Sequence, residues 1–349
     1  MEPLTVFVTN REIDHSDSSK LFGNDLDPTA IHFASAKQKG AITEFDHETL
    51  HSKHHKRSYD LSLENDVDSY LQTVLSQSDN GKPWIFFLHG NNQTLSKNLV
   101  KSRRIQDEYD ANMIIFSWPS CSYEPTKSSV PKQLAEALLS FVTRPNESVQ
   151  KKLMKWTTKW AVKKVNEKKE QYKEARAHAK LTVKGFSEAF NILQNKLLLP
   201  MQNSHNPHSC FLAHSLGHLV LRSTVEEQLD SMKGYQFNSC MLHQADEENS
   251  AHATWVKELP FVEDQNTYIT RNKSDIILFL SGLVNNGEDL DKALTRLGNR
   301  EDDSEQRAPL NYIDFTGMSG LGIEGHGIAW RKRKNKEVDE MCRPVLTGL

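Results

Sequence analysis

The sequence predicts an α/β fold built on a doubly wound, mostly parallel sheet, and three observations point to it. From Lys82 onward, short β-branched or aromatic runs alternate with longer helical stretches. Several of the short runs are continuously apolar, as in strands covered on both faces, rather than alternating. Strand–helix–strand repetition with right-handed crossovers then places helices on both sides of the sheet.

Taken in order, "LTVFVTNR" (4–11) and "AIHFASAK" (30–37) read as two strands forming an antiparallel edge. A polar, His-rich stretch follows at 43–60, then an amphipathic segment at 66–77. The core strands are expected at 82–90, 112–120, 208–215, 236–245, 266–271 and 311–317, each rich in β-branched or aromatic residues. Helices are expected at 93–109, 180–198, 216–229, 250–259 and 275–285. Residues 285–306 read as a helix and a mobile acidic loop. "RKRKNK" (331–336) reads as the start of an exposed terminal helix. No internal repeat or interdomain linker interrupts the chain, so residues 1–349 form one domain. Residues 121–179 are more than one crossover helix needs. At the carboxyl edge of such a sheet they read as a helical lid.

Composition narrows the function. With 37 % hydrophobic and 26 % charged residues the chain is globular, and no apolar stretch approaches the roughly 20 residues that span a bilayer. The start lacks the basic and apolar regions of a secretory signal, so cytoplasmic residence is expected. Cys121, Cys210, Cys240 and Cys342 have no metal-type spacing and read as free thiols. His47, His51, His54 and His55 have helical spacing but no convincing carboxylate or Cys partner, so no metal site is assigned. A net charge of −3 argues against a nucleic-acid partner.

The charge is uneven, however. Residues 151–184 hold eleven Lys and one Arg against three Glu. Within them Leu153, Trp156, Trp160 and Val165 share one helical face, and Lys152, Lys155, Lys159 and Lys163 the other. A lid helix with a solvated lysine face is the simpler account. Contact of 151–169 with an anionic membrane is the alternative.

"FLAHSLGH" (211–218) carries the chemistry. A serine at the tip of a tight strand-to-helix turn needs small residues two before and two after it, and Ala213 and Gly217 flank Ser215 in that way. Apolar Cys210–Leu212 precede the turn and a helical pattern follows. The competing role is a helix cap. "FFLHGNN" (86–92) ends a strand in His-Gly, where the N–H of Asn91 and that of Leu216 would receive a developing oxyanion. His326, in "GLGIEGHGIAW" (320–330), is the only histidine beyond the last strand and is the candidate base. Asp275, in "YITRNKSDII", is favoured as the orienting acid, with Asp246 in "HQADEEN" the alternative and Glu247 weaker. His214 and His218 read as packing residues.

"IFFLHGNNQT", "IIFSWPS", "LAHSLGH", "RNKSD" and "GHGIAW", in that order and with the early "VFVTNRE", resemble the α/β-hydrolase superfamily. More narrowly they resemble bacterial esterase/lipase-like hydrolases of unassigned function. The likeness is weakest over 38–80 and 121–175, and the lysine-rich insertion departs from the pattern. The resemblance implies an α/β-hydrolase fold, a Ser215–His326–Asp275 triad and no cofactor. It does not imply a substrate; a small-molecule or lipid ester is the expectation drawn from the triad reading. A thioesterase, deacylase or acyltransferase on the same triad, or a non-catalytic binding protein of this fold, are the alternatives.

Overall fold

The computed structural model describes residues 1–15, 21–44, 54–120, 169–248, 252–259, 266–273, 275–286, 296–298, 310–316, 318, 326 and 336–349. Eleven strands appear among them: β1 (Thr5–Thr9), β2 (Arg11–Ile13), β3 (Phe22–Leu26), β4 (His32–Glu44), β5 (His54–Leu63), β6 (Trp84–Leu88), β7 (Asn112–Ser117), β8 (Ser209–His214), β9 (Ser239–His243), β10 (Thr267–Arg271) and β11 (Asn311–Asp314). Nine of them form one sheet in the order β11-β10-β9-β8-β6-β7-β1-β4-β5, while β2 and β3 pair separately. From β11 to β1 every neighbouring pair is parallel. Only β4 and β5 run antiparallel to their neighbours. The mostly parallel sheet expected from the sequence is therefore present, with every expected core strand in it.

The edge differs from expectation. β1 is no edge strand, because it pairs in parallel with β7 on one side and antiparallel with β4 on the other. The edge is β5, which lies in the stretch read as polar and His-rich. In β5, Tyr59, Leu61 and Leu63 pack on the core at every second position, with exposed Asp60 and Ser62 between them. A strand covered on one face buries only alternate residues, so its composition looks polar.

The described helices are α1 (Val67–Gln77), α2 (Leu95–Tyr109), α3 (Val183–Leu193), α4 (Leu199–Ser204), α5 (Gly217–Gln228), α6 (His252–Lys257), α7 (Ile276–Asn286) and α8 (Lys336–Thr347). A further helical stretch covers 169–181. A π-helical turn at Gln194–Leu198 joins α3 to α4 and carries this helix past its expected end at 198. Asp66 caps α1 through Ser69 N, and Thr94 caps α2 through Lys97 N, each satisfying an amide the helix leaves free. No helix among the described residues is long and apolar enough to cross a membrane.

Successive residues of β6 show why both faces must be covered. Phe86 joins a cluster with Phe186, Phe190, Phe211 and Phe237 on one face, with ring centroids 5.0–6.2 Å from it. Ile85 and Phe87 join Leu99, Ile105, Tyr109, Leu212 and Leu346 on the other. This alternation is the physical content of an apolar run that is continuous rather than periodic.

Two sequence expectations are corrected. The terminal helix α8 is not simply exposed, since Val338, Cys342, Val345 and Leu346 form a buried stripe against the sheet. Nor is all of 285–306 a loop at the surface: Arg296 and Leu297 are 1 % exposed. Leu297 N donates to Glu247 O (2.8 Å), Gly298 N to Ala245 O (3.0 Å) and Asn272 N to Gly298 O (2.7 Å). Residues 121–168 lie outside the described residues, and so do the Trp-bearing stretch 151–165, His47, His51, Cys121 and 331–335. The helix 169–181 buries Tyr172, Ala175 and Ala179 against the core.

Candidate active site

β6 is followed in sequence by β7 on one side of it in the sheet, and β8 returns to the other side. The carboxyl ends of β6 and β8 thus flank the point where strand order reverses. In open parallel sheets that is where a crevice forms. Register pairs Leu88 with Ala213, so the turns after the two strands, His89–Asn92 and His214–Leu216, lie side by side.

Ser215 has φ +53°, a left-handed conformation that a non-glycine residue rarely adopts and that costs about 1–3 kcal/mol. Its backbone is held on both sides. Ser215 N donates to His243 O (3.1 Å), and Ser215 O accepts from His218 N (3.1 Å), His218 Nδ1 (2.7 Å) and Asp246 N (3.3 Å). The capping alternative is not realised: the N-cap position of α5 is Leu216, and no side chain caps that helix. Gly217 and Gly90 are set by the close approach of the two turns. A Cβ on Gly217 would lie 2.7 Å from His89 O and 2.9 Å from Leu88 O. A Cβ on Gly90 would lie 2.6 Å from Ser215 Cβ and 2.7 Å from His214 O. The His-Gly turn and the serine turn are in direct contact.

His89 fixes the shape of its turn, a role that sequence reasoning did not reach. Its Nε2 accepts from Trp118 N (3.1 Å), and its ring stacks on the Trp118 ring (5.4 Å, 4°). Accepting an amide N–H requires an unprotonated Nε2, so the proton is on Nδ1, which donates to Gly90 O at 2.8 Å. Burial, reinforced by the charge of Arg11, holds His89 well below the usual histidine range and keeps this neutral tautomer. With Gly90 O pinned, the N–H of Asn91 projects from the opposite edge of the same planar peptide.

The acid and the imidazole are paired across 51 residues. His326 Nδ1 donates to Asp275 Oδ2 at 2.7 Å, and Asp275 Oδ1 accepts from Ile277 N (2.9 Å) and Leu278 N (3.1 Å) at the start of α7. The His326 ring lies 4.9 Å from that of His214, the residue before Ser215. Asp246 is committed elsewhere. Its carboxylate accepts from Arg296 Nε (2.9 Å), Ser281 Oγ (2.5 Å) and Tyr172 Oη (2.7 Å). Burial alone would raise its pKa, but Arg296 and these hydroxyls outweigh that and lower it. Glu247 is buried against Arg222 (3.1 Å), and its pKa is raised by burial. Of the three acids weighed from sequence, Asp275 is the one that touches His326.

His214, His218 and His243 are buried beside the serine turn, with the His214 and His243 rings stacked at 5.4 Å. Burial pushes His218 down to about 4, and His214 and His243 well below the usual range. His214 and His218 pack in the core as expected, with His243 beside them, and His218 also holds the Ser215 carbonyl. Among the described residues no group of three or more His, Cys, Asp or Glu side chains is arranged to hold a metal ion.

No protein-family model matches the chain, and no curated protein matches it.

Proposed function

We propose that the protein is a serine hydrolase of the α/β-hydrolase fold that cleaves carboxylic esters through an acyl-enzyme. The observation that carries this reading is the coincidence, at the carboxyl end of the sheet, of a left-handed Ser215 pressed against Gly90 and an Asp275–His326 pair whose imidazole lies 4.9 Å from the ring of the adjacent His214. A structural serine has no need of a strained backbone, and strain at such a turn is the usual mark of a functional residue.

In this reading His326 Nε2 takes the Ser215 proton as Oγ bonds to the acyl carbon, and the carbonyl electron pair moves onto oxygen. Asp275 holds Nδ1 protonated, so Nε2 is the basic nitrogen, and its charge offsets the imidazolium that forms. The N–H groups of Asn91 and Leu216 receive the oxyanion, each worth about 3–4 kcal/mol in comparable sites. The imidazolium then protonates the leaving alkoxide, and water resolves the acyl-enzyme by the same steps in reverse.

A fluorophosphonate probe tests the reading. The wild-type protein should label, and Ser215→Ala should not, while Ser209→Ala, a buried serine at the far end of β8, should still label. Labelling of the wild type at another residue, or none in the folded protein, would overturn it.

A further inference from the structure

We infer that Arg11 is a positioning residue for the turn 89–93, its guanidinium fixing that turn against the end of β7. The inference rests on the hydrolase reading, in which the Asn91 N–H receives the oxyanion. Arg11 opens β2, two residues past the end of β1, and is fully buried. Its Nη2 donates to both Gln93 O (3.0 Å) and Trp118 O (2.8 Å), so one nitrogen clamps the tail of the turn to the strand end. Nε donates to Ser117 Oγ (3.1 Å), and Nη1 donates to Gly23 O (3.2 Å) and Asn24 Oδ1 (3.3 Å) on β3.

Trp118 is also the anchor for the head of the turn, through its N–H to His89 Nε2 and its Nε1–H to His89 O (2.8 Å). Between head and tail, Gln93 Nε2 donates to Asn91 O (3.4 Å) and Asn92 O (3.2 Å). All four carbonyls from Gly90 to Gln93 are therefore held, by His89, Gln93, Gln93 and Arg11 in turn. Fixing successive carbonyls fixes the peptide planes, and so the direction in which the Asn91 N–H points. An oxyanion donor stabilises a transition state only when it is oriented in advance. Arginine suits this position because its planar fork of five donors reaches three chain segments at once and stays charged when buried. A lysine ammonium cannot span them.

The test uses the full chain with Arg11→Lys and Arg11→Gln, p-nitrophenyl acetate as substrate and a trifluoromethyl ketone as tetrahedral mimic. In the folded variants kcat should fall about 100-fold, the size of effect seen when one oxyanion donor is lost, with KM within about threefold. Ketone affinity should fall by a similar factor, and the acid limb of kcat/KM against pH should stay in place because Asp275–His326 is untouched. Wild-type kcat and ketone affinity in variants that merely melt earlier would overturn the inference. If both variants fail to fold, Ser117→Ala, which removes the acceptor of Arg11 Nε, carries the test with a smaller fall of the same split, and unchanged kcat and ketone affinity there overturn it. A wild type that neither turns over the ester nor labels at Ser215 would sink the hydrolase reading first, and this inference with it. An active wild type with unaffected variants would sink this inference alone.

Discussion

Asp275 holds His326 with one carboxylate oxygen and closes the first turn of α7 with the other: Oδ2 accepts a hydrogen bond from His326 Nδ1–H at 2.7 Å, while Oδ1 accepts from the amides of Ile277 and Leu278. One carboxylate thus caps the start of a helix and pairs with the His326 ring at once. The cap fixes the carboxylate that in turn fixes the imidazole.

The two roles separate by substitution. Asp275→Asn keeps a cap oxygen but turns an amide toward Nδ1, favouring the wrong tautomer. Melting should stay near wild type, while kcat falls about 10⁴-fold if the pair works as in the serine-protease case. Asp275→Ala should lose the same activity and in addition about 1 kcal/mol of stability with the cap. Equal melting of the two variants, measured calorimetrically, would contradict the cap.

Strain at Ser215 gives a stability signature independent of substrate. Ser215→Gly removes the Cβ that disfavours φ +53°, whereas Ser215→Ala keeps it. Both should be inactive, and the glycine variant should be more stable than the alanine variant by about 1 kcal/mol in urea unfolding. A less stable glycine variant would argue that the turn is unstrained.

Contact between the two turns makes Gly90 intolerant of a methyl group. In Gly90→Ala the Cβ would meet backbone and the Ser215 Cβ, which cannot swing aside. Overpacking of this kind costs about 1–3 kcal/mol. Labelling of Ser215 should slow by at least tenfold in the folded variant. Gly81→Ala, at a turn with open space around its Cβ but φ +73°, should lose only stability.

Acid should unfold the protein through its buried histidines. The folded-state pKa of His218 is depressed to about 4 by burial, below the unfolded value near 6.5. The unfolded chain therefore binds the extra proton first. Stability is full above pH 6.5 and declines as pH falls toward 4, with His89, His214 and His243 adding to the slope. His218→Gln should reduce proton uptake on unfolding by about one between pH 6 and 4 in urea titrations.

The Asp246 network should matter for stability and not for labelling. Tyr172 Oη donates to Asp246 and accepts from Arg296 Nη2 (3.2 Å). Tyr172→Phe should cost about 1–3 kcal/mol. Arg296→Met, which strands a buried carboxylate, should cost about 3–5 kcal/mol. Below their melting temperatures both should label at Ser215 within about threefold of wild type. Loss of labelling in the folded variants would tie Asp246 to the chemistry.

Local pattern was enough to read the central strands, the helices after them, the tight turn at Ser215 and the need for Gly217, because buried parallel strands and steep turns restrict residue type within a few positions. It did not distinguish β5 from a polar linker, since half of an edge strand faces water. It favoured Asp275 over Asp246 as the acid without a physical reason to exclude the second. Both follow a parallel strand and either could serve. Tertiary structure alone places Arg296, Ser281 and Tyr172 around Asp246 and His326 against Asp275. The bonds that orient His89 and Arg11 are of the same kind, joining residues 29 and 107 positions apart at Trp118. Periodicity records what a residue's own strand or helix demands of it, and partners this distant leave no trace there.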